Sequence, residues 1–159
     1  MTVQAPAEDP ALALARLRAA HRAGVFVAYT MLASLAVYAG VVELIARNAP
    51  EPMVEFSEAI RWIFYSVAAA IVFATHVVHA VLAHNARRAG AMDQAAKMTA
   101  ANIVTLALAE SPAILGLVLY FVWRQHTDFY VMCAFSLYLI IRHFPRFGEW
   151  ERVARTGTH

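Results

Sequence analysis

Three runs of about 20 residues, each nearly free of charge, constrain this chain more than any other feature of it. Gly24 to Val42 lies between Arg22 and Glu43, Trp62 to Ala83 is interrupted only by His76 and His79, and Ile103 to Trp123 carries Glu110 as its one ionisable residue. A helix needs roughly 20 predominantly apolar residues to cross about 30 Å of hydrocarbon. Lipid offers the backbone no hydrogen-bond partner, so such runs close their amide bonds within the segment, as helices. A shorter fourth run, Phe129 to Phe144, ends in Arg142 and His143, which reach the interface by snorkelling, and Pro145 stops it. The chain is 61% hydrophobic and 15% charged, too little polar residue to clothe a soluble fold. The expected fold class is an all-α membrane protein, a four-transmembrane-helix up-down bundle in a single domain, 1–159. Its spans are 24–45, 62–83, 103–123 and 129–144, between a cytoplasmic segment 1–22 and a cytoplasmic tail 145–159.

Lys and Arg set the expected direction. Arg16, Arg18 and Arg22 precede span one; Arg87, Arg88 and Lys97 lie between spans two and three; Arg142, Arg146, Arg152 and Arg155 close the chain. Only Arg47, Arg61 and Arg124 fall on the other side, so both termini are expected in the cytoplasm of a cell with an inner membrane. Trp62, Trp123, Phe129 and Tyr130 then fall at the outer interface and Trp150 just past the inner one. Met1 to Pro10 is acidic and rich in Ala and Pro, unlike a cleavable signal peptide, so span one is expected to stay as a signal anchor. Ala11 to His21 reads either as a short amphipathic helix on the membrane surface or as an extension of span one. Ala49-Pro50-Glu51-Pro52 makes a stiff turn, Ser57 can cap a helix entering at Glu58, and Arg124 to Asp128 is short enough to make spans three and four antiparallel neighbours.

The near-neutral balance of +2 gives no reason to expect nucleic acid as a partner. The lone Cys133 excludes an intramolecular disulfide and reads as a small apolar core residue. Ser-His-Asp sets, phosphate-binding glycine loops and zinc-protease motifs are all missing, so no enzyme is expected, and no cofactor. The expected partners are the lipid bilayer and either other membrane subunits or further copies of the chain.

Glu110 is the chief candidate for chemistry. It lies roughly 12 Å into span three at 1.5 Å per residue, where a carboxyl must be protonated, find a partner or face a polar cavity. Pro112 has no N–H to donate, which frees the carbonyl of Leu108 within a turn of Glu110. With the Ser111 hydroxyl, these groups form a candidate proton or cation site of Glu110, Ser111 and Leu108. The partner expected for the carboxyl is a histidine of span two, His76 first and His79 second. On the same helix Asn102, Thr105, Ala109, Ala113, Gly116 and Tyr120 form a stripe at helical spacing, whose small residues let another backbone approach.

The run Ala107-Leu-Ala-Glu110-Ser-Pro-Ala-Ile-Leu-Gly116-Leu-Val118, with its flanks over residues 97–122, resembles the carboxylate-bearing helix of the rotary ATP synthase c subunit. The resemblance implies that Glu110 carries a translocated proton or sodium ion at mid-membrane, with Ala109, Ile114 and Gly116 around it. It stops at this helix. Span two holds Trp62, Phe64, Tyr65 and Phe73 where that family has a glycine repeat, and two further helices flank the pair.

The histidines offer a second reading. His76 and His79, three residues apart, share a helix face and with His143 could hold haem or a metal in a redox-complex subunit. His76 lies deeper in its span than His143 does in its own, so they form no ladder of axial ligands. A third reading is a scaffold subunit without chemistry.

Overall fold

Apolar sequence without interior glycine runs gives long helices here. The computed structural model describes residues 10–48, 57–87 and 91–148. These form α1 (Pro10–Asn48), α2 (Glu58–Arg87), α3 (Ala91–Trp123) and α4 (His126–Arg142), with no strand among the described residues. Within α1, α2 and α3, the segments Ala15–Asn48, Glu58–Ala86 and Ala95–Trp123 are long and apolar enough to cross a membrane. The 17 residues of α4 extend about 25 Å at 1.5 Å per residue, short of a full hydrocarbon core.

Local sequence accounts for the ends. α1 begins at Pro10, so the stretch from 11 to 21 continues span one instead of forming a separate surface helix. Glu58 starts α2, and the Ser57 carbonyl accepts the Arg61 N–H at 3.1 Å. Two residues, Arg124 and Gln125, join α3 to α4, and Arg124 turns the chain with a positive φ of 57°. α4 closes at Arg142, where the His143 N–H still reaches the Leu139 carbonyl, and Pro145 follows, buried. The Pro50–Pro52 turn, the acidic start of the chain, Arg88 and the tail beyond Gly148 lie outside the described residues.

α3 is the central helix. It packs along α1, α2 and α4, whereas α2 and α4 touch only slightly. The expected stripe is what seats it: Thr105, Ala109 and Ala113 are fully buried. At Gly116 a Cβ would stand 2.6 Å from Met132 Cβ and 3.2 Å from the Phe129 carbonyl oxygen, so only glycine lets α4 come this close. Gly24 of α1 plays a similar part against Asn102, whose Nδ2 would lie 2.8 Å from an added Cβ.

Contacts at the two ends fix the helix directions. The start of α1 and of α3 and the end of α4 meet where Gly24 faces Asn102 and Pro145, and the His21 side chain bonds the Pro145 carbonyl. At the other end the Tyr120 hydroxyl donates to the Val42 carbonyl at 3.1 Å, and Phe129 joins both residues in one cluster. Consecutive helices therefore run in alternating directions, with α1 and α3 parallel. Trp62 is 67% exposed, but Trp123 is buried against Phe64 and so belongs to the core, not to an aromatic belt. Phe26 and Phe73, each more than 70% exposed on α1 and α2, are compatible with a bilayer around these helices.

Candidate functional site: a carboxyl held by hydroxyls

Glu110 sits at mid-height in the bundle. Along α3 it is eight residues from Asn102, which faces Gly24, and ten from Tyr120, which faces Val42: about 12 and 15 Å at helical rise. It is 9% exposed, and both of its side-chain partners are on α1. The Tyr38 hydroxyl donates to Glu110 Oε1 at 2.8 Å, and the Ser34 hydroxyl makes a very short contact with the same oxygen. Ser34 and Tyr38, four residues apart, lie on one face of α1 and reach α3 together. Ser34 Oγ also stands 2.7 Å from the Met31 carbonyl oxygen, so a single hydroxyl hydrogen faces two acceptors. No cation pairs with this carboxyl among the described residues.

Directly above the carboxyl, Pro112 interrupts the amide ladder of α3. The compensating polar group comes from α4. The Ala113 N–H donates to Ser136 Oγ at 2.8 Å, and that hydroxyl donates to the Glu110 carbonyl at 3.3 Å. Ser136 is fully buried. Glu110 is thus held by side chains of α1 and its backbone by a side chain of α4, which makes it the polar junction of three helices.

Several expectations about the site need correction. Glu110 does not pair with His76: the His76 Nδ1 bonds the Val72 carbonyl of its own helix at 2.8 Å, and its ring lies against His143. The reason is rotation, since α1 and not α2 covers the side of α3 that bears Glu110. Ser111 turns away and bonds the Ala107 carbonyl at 3.2 Å. Leu108 is half-buried and is not among the partners of the carboxyl. Ser34, Tyr38 and Ser136 are the residues that sequence reasoning missed. The available signal was that all three are polar side chains inside otherwise apolar runs.

Two further polar groups join α2 to its neighbours. Near one end Asp128, 2% exposed, accepts from Arg61 Nε at 3.0 Å and from the Tyr65 hydroxyl at 2.9 Å, with Arg61 Nη2 at 2.7 Å from the same oxygen. Asp128, read from sequence as the end of a loop, is in the first turn of α4. Near the other end His143 meets both α2 histidines, with ring centroids 4.6 Å from His79 and 5.1 Å from His76. The depth difference expected between His76 and His143 is therefore absent. Among the described residues no group of three or more His, Cys, Asp or Glu side chains is arranged to hold a metal ion. Cys133 is half-buried at the edge of two apolar clusters.

Neither a family model, a curated protein nor a solved structure matches this chain.

Proposed function

We propose that the chain is a multi-pass protein of the inner membrane that binds and exchanges a proton at Glu110, as a small subunit or homo-oligomer in ion translocation. The observation that carries the reading is the count of hydrogens around the carboxyl. With a proton on Oε1, every group has a partner: Tyr38 donates to Glu110, Glu110 to Ser34, and Ser34 to the Met31 carbonyl. With an ionised carboxylate, the Ser34 hydrogen must choose between two acceptors, and the charge sits at mid-height without a cation. The likeness of residues 97–122 to the carboxylate-bearing helix of the ATP synthase c subunit supports the same role for Glu110. The surplus of Lys and Arg at the start of α1, between α2 and α3, and after α4 supports a cytoplasmic location for both termini, with α4 as a short fourth span.

One acid in four helices is not a pathway, so the role calls for a partner or for self-association. The test is carbodiimide labelling of the detergent-solubilised protein. The expected result is labelling at neutral pH that is absent in Glu110→Gln and suppressed at high pH. Suppression by sodium at constant pH would identify a cation as the bound ion. Absence of labelling in the native protein would overturn the proposal and favour a scaffold role.

A further inference from the structure

α2 is fastened to α4 at two places only slightly supported by other contacts between these helices. One is the Arg61–Tyr65–Asp128 cluster, in which opposite charges meet. The other is the contact of His143 with His76 and His79, in which three like side chains meet. The hydrogen bonds define what these imidazoles can do. The Val72 carbonyl can only accept, so His76 Nδ1 carries the hydrogen and its Nε2 keeps a lone pair. The Thr105 hydroxyl gives its hydrogen to the Ala101 carbonyl at 2.7 Å, so its oxygen accepts from His79 Nδ1 at 3.4 Å, and His79 is the same tautomer. His143 is 8% exposed, and its Nε2 is buried with no hydrogen-bond partner.

We propose that His76, His79 and His143 form a proton-binding clasp, whose protonation releases this end of α2 from α4 while Asp128 holds the other end. The junction is stable with neutral rings, which stack edge to face or tilted. A proton added to His143 creates an imidazolium in a buried contact. The charges that then act on His143 are those of His76 and His79 on α2 and of Arg142 on its own helix, all positive or neutral. α3 faces the cluster with the Thr105 hydroxyl, and α1 reaches this end with His21, bound to the Pro145 carbonyl. Among the described residues no carboxylate is among the groups acting on His143. Hydration of the imidazolium, by parting the helices, is the relief open to it. The proposal is independent of the role given to Glu110, which bonds neither α2 nor a histidine.

The test uses full-length protein in lipid nanodiscs, with Cys133→Ser and pairs of spin labels. One pair, Ala80→Cys with Ile141→Cys, reports the histidine end; the other, Ile63→Cys with Thr127→Cys, reports the Asp128 end. Acidification from about pH 8 to about pH 4 covers the ordinary histidine range and extends well below it, as a buried imidazolium requires. It is expected to lengthen the first distance, leave the second unchanged, and have no effect in His143→Gln. Nitrogen chemical shifts of the imidazoles, measured on the otherwise native protein, should titrate with the same midpoint as the distance. A distance indifferent to pH overturns the proposal. So does lengthening of both pairs alike, a change that persists in His143→Gln, or a midpoint unlike that of the imidazoles. A distance set by added zinc ion at constant pH would also overturn it, in favour of a metal site.

Discussion

Among the described residues, two buried carboxyl groups are provided for in opposite ways. Asp128 accepts from the Arg61 guanidinium and the Tyr65 hydroxyl, so its charge is met by a charge. Glu110 meets only the hydroxyls of Ser34 and Tyr38, which can stabilise an oxygen but cannot neutralise it. Asp128 sits near a helix end, in the first turn of α4, where its side chain also favours the helix dipole. Glu110 sits at mid-height beside a proline, with Ser136 repairing the backbone next to it. The difference separates an acid met by a cation from one met by hydroxyls.

Both acids depend on the seating of α4 on α3, so the largest expected effect strikes at that seat. Gly116→Ala places a Cβ 2.6 Å from Met132 Cβ, which is close to the backbone and cannot simply swing aside. Overpacking of this kind costs about 1–3 kcal/mol. Unfolding of the detergent-solubilised protein by denaturant should show that loss. Asp128 and Ser136 flank Met132 on α4, so carbodiimide labelling at Glu110 should change in the same variant. If labelling stays as in the native chain, the Glu110 site does not need α4, and the two acids are more separate than argued.

Asp128→Asn tests the charged half of the comparison. It keeps the shape and one acceptor but leaves the Arg61 guanidinium, whose side chain is 36% exposed, without its counter-charge. Bonds to charged groups contribute about 1.5–3 kcal/mol, and partial hydration of Arg61 reduces the loss, so a destabilisation of about 1–2 kcal/mol is expected. Labelling at Glu110 should be unaffected. Tyr38→Phe, in the neutral half, removes one hydroxyl. Side-chain hydrogen bonds within membrane bundles average about 0.6 kcal/mol, and a loss of that size is expected by the same unfolding measurement.

The sequence made the helices legible because each is a run of one character, and it made the stripe from Thr105 to Gly116 legible because small residues recurred at helical spacing. Glu110 stood out because a charge in such a run has no bland explanation. Its partners were not legible. Which helix covers which side of α3 depends on the rotation and order of all four, and nothing in a single run reports either. The same limit hid Ser136, an unremarkable polar residue until Pro112 of another helix is set beside it. It also hid the histidine cluster, since residue counts from each span end place His76 and His143 at different depths, whereas their rings touch.

The substitution with the smallest effect at about pH 4 decides the most. A protonated carboxyl and a carboxamide have the same shape, and each offers both an acceptor and a hydrogen to donate. If Glu110 rests protonated, Glu110→Gln keeps an acceptor for Tyr38 and a donor for Ser34, and stability at about pH 4 should change by less than about 0.5 kcal/mol. Above that pH the native chain must take up a proton to fold, so the variant should gain on it by about 1.4 kcal/mol per pH unit. If Glu110 rests ionised, no proton is taken up on folding, and the difference between the two chains should stay constant as pH rises through neutrality. The slope with pH of this difference in unfolding stability therefore reports the resting state of the acid without any assay of transport. Set beside Asp128→Asn, which must destabilise for the comparison to hold, it turns the contrast between the two acids into a difference between two isosteric substitutions in one protein.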